Sequence, residues 1–514
     1  MMLSVINVCK NMYNSSFLAL QIRFKSKTHW AKLKKKTSAK YKAQNHFDEF
    51  YGSVFGDKWK PMKEAMLRRS KYVAVVNNYG DAEETVEYLT KRGAHCLKTL
   101  MSVQQEFHKQ YPPTPSPVDT QHSHTNSRLE QYTTKLQSDE ISNVYSQKDG
   151  VPEKLELRDV TLRSSEEEKK VDRGKSTSIT LEQSLAEAQI DTSRIVDPSM
   201  GLTSEALYQY LPATQLKGMD DWVPESLHYS YLTKDKDFPL VIEPETEFTF
   251  PEHLKVYTYE MGSDWTMFPE PKRCKTKVFN YYPMDCGSVA SVLALCLRPG
   301  ERVLDLCAAP GGKALAALQT LLPAVLVCND ASLSRGNRMG RIFRDYLIDF
   351  ETSNLWRERV VLSTCDGRDF VDDVGFDKVL VDVPCTTDRH SMNEDENNIF
   401  RPDRIKERLR IPELQSQLLA NALQLVRVGG AVVYSTCSLS PVQNDGVVHM
   451  ALKHAFETNN IVATVKDLSG PLAGLSSTLS LCAGGAAPRY GQLVVPTIEA
   501  NFGPSYIARL VRVK

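Results

Sequence analysis

Two cysteines stand at the ends of apolar, strand-like runs, Cys385 after Asp382-Val383-Pro384 and Cys437 after Tyr434-Ser435-Thr436. A thiol is a nucleophile only as thiolate, so it needs a polar or cationic and partly open setting. Strand ends at the functional edge of a sheet offer that setting. Upstream lies Val303-Leu304-Asp305-Leu306-Cys307-Ala308-Ala309-Pro310-Gly311-Gly312-Lys313, a strand, a glycine turn and a helix start. Together these segments predict a cofactor loop and two thiols aimed at one pocket. A zinc nucleobase deaminase does not fit, because its Pro-Cys-x-x-Cys needs a cysteine where Asp388 stands.

Acids accompany the thiols. Asp330, Asp366 and Asp382 are placed at the ends of the second, third and fourth strands of the series. Asp330 is positioned to accept both hydroxyls of a ribose, and Asp366 to accept from an adenine amino group. Any one of them could instead cap a helix; three at one sheet edge favour a site. The glycine loop departs from the P-loop pattern, with Cys307 at the first glycine and Ala314 where Ser or Thr would hold magnesium, and it lacks Gly-x-Gly-x-x-Gly. It reads as a ligand loop that does not grip a nucleotide phosphate, or else as a tight turn that needs glycine.

These residues require a scaffold. Apolar runs at Arg302–Cys307, Val325–Asp330, Val360–Asp366, Lys378–Val383 and Ala431–Cys437 alternate with helical runs at Lys313–Leu322, Ser332–Tyr346 and Glu413–Val428. That alternation predicts an α/β fold, a Rossmann-like sheet with helices on both faces. Residues 491–498 and 505–513, rich in β-branched side chains, are expected to close an antiparallel edge. Before the sheet, residues 46–110 read as a mainly helical region, with helix-spaced Phe50, Tyr51, Val54, Phe55 and Trp59, and residues 201–290 as a mixed α/β front region. The catalytic domain is assigned to 291–514.

The 514 residues carry no net charge, but the first 47 hold ten Lys or Arg and no acid. Overall charge therefore argues neither for nucleic acid nor for a membrane. Residues 1–45, basic, acid-free and serine-bearing, read as a mitochondrial transit peptide; a basic RNA-binding arm is the other reading. No run of about 20 apolar residues is present to cross a bilayer. Residues 111–200 contain 22 Ser or Thr and neither Phe nor Trp, too little apolar surface to offset chain entropy, so a disordered polar insert is expected, with a short helix near Leu181–Ile190. The eleven cysteines show no Cys-x-x-Cys spacing and predict neither disulfides nor a zinc site.

Cys307–Lys313, Asp382–Cys385 and Ser435–Ser438 resemble, in order and spacing, the motifs of the Nol/Nop/Sun RNA cytosine-5 methyltransferases, and the variant Pro384-Cys385-Thr386-Thr387-Asp388-Arg389-His390 is most similar to the mitochondrial ribosomal-RNA branch. The resemblance implies S-adenosylmethionine as methyl donor, with Gly311, Gly312, Lys313, Asp330, Arg335, Asp366, Gly367 and Asp382 lining its pocket. It implies that Cys437 attacks C6 of cytosine, that Cys385 assists product release, and that Lys313 and Asp382 orient the base and favour the thiolate. It further implies a mitochondrial-matrix enzyme acting on small-subunit ribosomal RNA, with a transcription-termination-factor-like helical-repeat protein as partner. Three positions depart from the family pattern: Ala314, Thr386-Thr387 in place of Ser-Gly, and the less acidic Gln443-Asn444-Asp445. They touch substrate contacts more than chemistry. Arg335, Arg338, Arg341 and Arg344 repeat every three residues and read either as a solvated face or as an RNA-backbone track. Two other functions share these residues, a ribosome-assembly factor with dispensable catalysis and a mitochondrial tRNA methyltransferase.

Overall fold

The computed structural model describes residues 38–110, 225–232, 238–245, 248–263 and 268–514. Most of the basic leader, the polar insert and its expected helix at Leu181–Ile190 lie outside the described residues. Within them run thirteen strands: β1 Val73–Val76, β2 His95–Cys96, β3 Val241–Pro244, β4 Val256–Thr258, β5 Tyr281–Met284, β6 Arg302–Asp305, β7 Val325–Asn329, β8 Val360–Ser363, β9 Phe376–Asp382, β10 Val426–Thr436, β11 Ala463–Asp467, β12 Gln492–Val494 and β13 Ser505–Arg512.

The main sheet has the order β3-β11-β13-β10-β9-β6-β7-β8, with β12 paired to β13. Strands β6 to β10 are mutually parallel where they pair, as their near-continuous apolar runs require. Strand order reverses between β6 and β9, which places the ligand crevice at their carboxyl ends. The five expected strands are present, several with shorter carboxyl ends: β6 stops at Asp305, β7 at Asn329 and β8 at Ser363, so Asp366 sits in the following loop rather than ending a strand. The C-terminal prediction needs a larger correction. Strand β13 is no edge, because it lies antiparallel between β10 and β11. The pattern hid this because its partners β10 and β11 precede it by dozens of residues, and Ala463–Asp467 was not read as a strand.

Helix Gly312–Gln319 joins two cores. Leu315 and Leu318 pack with Val303, Leu326, Cys328, Met339 and Phe343. Ala316 and Ala317 pack with Leu293, Leu380, Val433 and Ile507. The turn before it is thus clamped from both sides. A smaller sheet, β2-β4-β1-β5, interleaves strands from residues 73–96 with strands from 256–284, so these two stretches of sequence share one element.

Helices Ala39–Phe55 and Trp59–Leu67 lead into this sheet. The first begins within the residues assigned to the leader. Its buried face, Phe47, Phe50, Tyr51, Val54 and Phe55, stacks on itself and on the catalytic part: Phe47 lies 4.9 Å from Tyr51 and 5.1 Å from Phe400, and Tyr51 lies 5.1 Å from Trp59, between ring centroids. Among the described residues, no helix is long and apolar enough to cross a membrane.

Candidate active site

The two thiols meet. Strands β9 and β10 are parallel neighbours, with Ser435 opposite Asp382, and each chain turns inward past its last strand residue. Cys385 Sγ and Cys437 Sγ are 3.2 Å apart, and either can donate to the other. The backbone amide of Thr387, a residue held in the left-handed region at φ 43°, donates to Cys385 Sγ over 3.4 Å. Cys385 is buried and Cys437 is exposed. Protein nonetheless surrounds Cys437 on its inner side: the hydrogen bond to Cys385 and burial push its thiol well up, and Lys313 opposes them.

Lys313 and Asp382 form the polar floor. Lys313 Nζ donates to Asp382 Oδ2 at 2.7 Å, and Ser435 Oγ donates to Oδ1 at 2.8 Å. Burial works against the Lys313 charge, yet the Asp382 carboxylate outweighs it and raises the lysine. Lys313 stays a cation beside Cys437.

The glycine loop is tightly built. Gly311 takes φ 108°, a backbone that favours glycine, and a Cβ there would stand 3.1 Å from Met339 Cγ. A Cβ on Gly312 would meet the Tyr282 ring at 3.0 Å. Asp330, buried, accepts from Ala309 N at 3.3 Å and Ser332 N at 3.0 Å. Arg335 donates to Ala309 O at 2.6 Å and pairs with Asp330 at 3.3 Å. Asp330 and Arg335 therefore brace the loop.

Two residues expected in the pocket also have partners within the fold. Asp366 is gripped by Arg368, at 2.7 Å to the nearer guanidinium nitrogen, which holds its carboxyl below the usual range. Gly367 is a packing glycine: a Cβ would stand 2.8 Å from Leu418 and 3.1 Å from Leu306. Of the arginine series, Arg338 and Arg341 are exposed, Arg344 pairs with Glu351 at 3.3 Å, and Met339, Phe343 and Tyr346 form the buried face of the same helix.

One site residue escaped the sequence reading. Asp305 ends β6 at the switch point and is 1% exposed. Neither carboxylate oxygen has a partner of good geometry; the Cys307 amide gives it only weak help. Burial first, and Asp382 second, push its pKa up to about 8. The rule that picked Asp330 and Asp382, an acid at a strand end, would also have picked Asp305.

This cluster fits S-adenosylmethionine. Three carboxyl groups (Asp305, Asp330, Asp382) face two cations (Lys313, Arg335), so with all ionised the floor is one charge negative. The donor carries one net positive charge, and an orphaned buried carboxyl is a natural counterpart. Among the described residues no group of acids, cysteines or histidines could hold a metal ion.

An open sheet with one reversed strand, a glycine turn at the switch point and acids at the strand tips define a Rossmann-like, S-adenosylmethionine-dependent methyltransferase. Comparison with known proteins narrows the class. Residues 292–482 match the family described as 16S rRNA methyltransferase RsmB/F. The chain is 32% identical over 516 residues to the 5-cytosine rRNA methyltransferase nsun-4 of Caenorhabditis elegans, covering 98% of this chain and 100% of that one. It is 43% identical over 263 residues to the 5-cytosine rRNA methyltransferase NSUN4 of Bos taurus, 51% of this chain and 66% of that one. Against the mitochondrial tRNA (cytosine(34)-C(5))-methyltransferase of Danio rerio it is 34% identical over 261 residues, 48% of this chain and 66% of that one. The chain belongs to the NSUN4-like 5-cytosine rRNA methyltransferases, a branch of the Nol/Nop/Sun RNA cytosine-5 methyltransferases, and uses S-adenosylmethionine to methylate cytosine in RNA.

Proposed function

We propose that this enzyme methylates C5 of a cytosine in the small-subunit ribosomal RNA of mitochondria, in the matrix, and supports assembly of that ribosome. The observation that carries the chemistry is the thiol pair, 3.2 Å apart at adjacent strand ends above a lysine–aspartate floor. The acid-free basic leader supports the compartment, and the ribosomal RNA named for the C. elegans and Bos taurus relatives supports the substrate.

In this reading Cys437 is the nucleophile. Its proton passes to the solvent on which its sulfur opens, with Lys313 stabilising the thiolate, and the sulfur adds to C6 of a cytosine that is unpaired or flipped out of its stack. That addition moves electron density to C5. Bound S-adenosylmethionine supplies an electrophilic methyl group there. A base then takes the C5 proton, the electron pair re-forms the C5–C6 double bond, and Cys437 departs from C6. Cys385 assists this release, with the Thr387 amide donating to its sulfur. Gly311, Gly312, Lys313, Asp330, Arg335 and Asp382 hold the methyl donor, joined by Asp305. Asp366 and Gly367 act from its border, one through Arg368 and one through packing. A helical-repeat protein of the transcription-termination-factor type supplies the RNA targeting.

Covalent trapping tests the proposal. Wild type, Cys385→Ala and Cys437→Ala are incubated with small-subunit ribosomal RNA, S-adenosylmethionine and the helical-repeat partner. A denaturation-resistant adduct should build up in Cys385→Ala and be absent in Cys437→Ala. The opposite pattern would exchange the two thiol roles. Methyl transfer to mitochondrial transfer RNA alone would overturn the substrate, and ribosome assembly fully rescued by Cys437→Ala would show catalysis to be dispensable.

A further inference from the structure

The segment after Cys385 is clasped by the start of the chain. Asp388, 0% exposed, accepts from Tyr51 Oη at 2.5 Å, Thr386 Oγ1 at 2.5 Å, Ser438 Oγ at 3.2 Å and the Leu439 amide at 2.7 Å. Thr386 directly follows Cys385, and Ser438 directly follows Cys437. One carboxylate therefore ties down the neighbour of each thiol. The two hydroxyls also touch each other, at 3.0 Å. Tyr51 is the member from outside: it projects from helix Ala39–Phe55, 337 residues away in sequence, and is held by rings on both sides, Phe47 and Trp59.

Other contacts fix the same clasp. Arg389 Nη1 donates to the carbonyls of Ala65, Met66 and Arg68, at the end of helix Trp59–Leu67, over 3.2 to 3.4 Å. Asn393 Nδ2 donates to Met66 O at 3.0 Å, and Gln44 Nε2 to Met392 O at 2.8 Å. A carboxylate this buried is tolerable only because it is hydrogen-bonded on every side. Loss of one donor leaves it undersatisfied and frees whichever loop that donor held.

We propose that Asp388 and Tyr51 are positioning residues that set the spacing of the two thiols, so that the amino-terminal helix is a working part of the active site. The proposal rests on the reading in which Cys437 attacks and Cys385 releases. Neither residue touches the reacting atoms. Their effect passes through Thr386 to one sulfur and through Ser438 to the other, and it falls on the step that needs both sulfurs, product release.

Two near-isosteric variants test this, Tyr51→Phe and Asp388→Asn, the first keeping the aromatic stack intact. Capture by phenylarsine oxide, which bridges a pair of thiols with loss of water, reports sulfur spacing without RNA or donor; Cys385→Ala supplies the background. Wild type should capture it as one bridged pair, and both variants more slowly. In turnover, kcat should fall about 100-fold, as for a misplacement near 1 Å, with KM for RNA and donor unchanged, and covalent RNA adduct per turnover should rise. A merely structural role would lower turnover and adduct together, in step with the folded fraction, and leave arsenical capture per folded molecule unchanged; that result overturns the proposal. Normal capture and normal turnover in Tyr51→Phe would overturn it too. Slowed capture with no RNA adduct in any protein, Cys385→Ala included, would uphold the positioning pair and sink the assigned thiol roles instead.

Discussion

Asp305 shows how a single buried group links donor binding to pH. Its pKa is raised to about 8 by burial and by Asp382, whereas in the unfolded chain it returns to the ordinary range near 4. The folded protein thus holds a proton that the unfolded chain releases above that value. Its contribution to stability is present at low pH and is lost as pH rises through about 8. Melting of the donor-free enzyme should fall more steeply between pH 4 and 8 in wild type than in Asp305→Asn; equal slopes would remove the assignment. A cation placed nearby favours the ionised form, so S-adenosylmethionine should bind more tightly as pH rises towards 8. S-adenosylhomocysteine, which lacks the sulfonium charge, should show a smaller trend, and titration calorimetry in buffers of different ionisation enthalpy would measure the released proton. At this scale the sequence was informative about the thiols, Lys313 and Asp382, because short motifs at strand ends carry their own geometry. It was silent on the pairing of Asp366 with Arg368, two residues on in its own loop.

Element by element, the alternating pattern was legible from β6 to β10 because each parallel strand is apolar and followed by its own helix. It failed where pairing is distant. Strand β13 looks like an edge in sequence and is an interior strand in space, since β10 and β11 approach it from earlier parts of the chain. A carboxylate anchors that placement. Asp285 caps helix Cys286–Ala294 by accepting from Gly287 N at 2.7 Å, and its other oxygen accepts from Gly503 N at 2.8 Å, just before β13. Asp285→Ala should cost about 2 kcal/mol, one lost cap plus one stranded amide, and Asp285→Asn clearly less; chemical denaturation would show it. Gly367→Ala drives a methyl against Leu418 and Leu306 and should cost about 1–3 kcal/mol as overpacking. Donor affinity in that variant, measured where it is fully folded, should stay near wild type if the glycine serves packing alone.

For the molecule as a whole, charge is the quantity to follow. The chain is neutral, so nucleic-acid affinity must come from local clusters. Arg338 and Arg341 are exposed on the helix whose Arg335 braces the donor loop, and a phosphate backbone lying there would pass beside the pocket. Replacing both by Ala should lower the slope of log affinity against log salt by about two and leave S-adenosylmethionine binding unchanged. An unaltered slope would return the stripe to a solvated face. The meeting of the first helices with the thiol loops was illegible in the sequence, since nothing local to Tyr51 or Asp388 names a partner more than 300 residues away.

That meeting also bears on the proposed transit peptide. Lys40 N already binds Asp395 Oδ1 at 3.0 Å, and Tyr51 follows three helical turns later. A protease that removes the basic leader can cut before Ala39 and leave the thiol loops clasped, whereas a cut past Tyr51 would yield a chain with both cysteines, the glycine turn and every strand of the main sheet, yet without the hydroxyl that steadies them. Under the proposed transit-peptide reading, the mature terminus of the active enzyme should fall upstream of helix Ala39–Phe55.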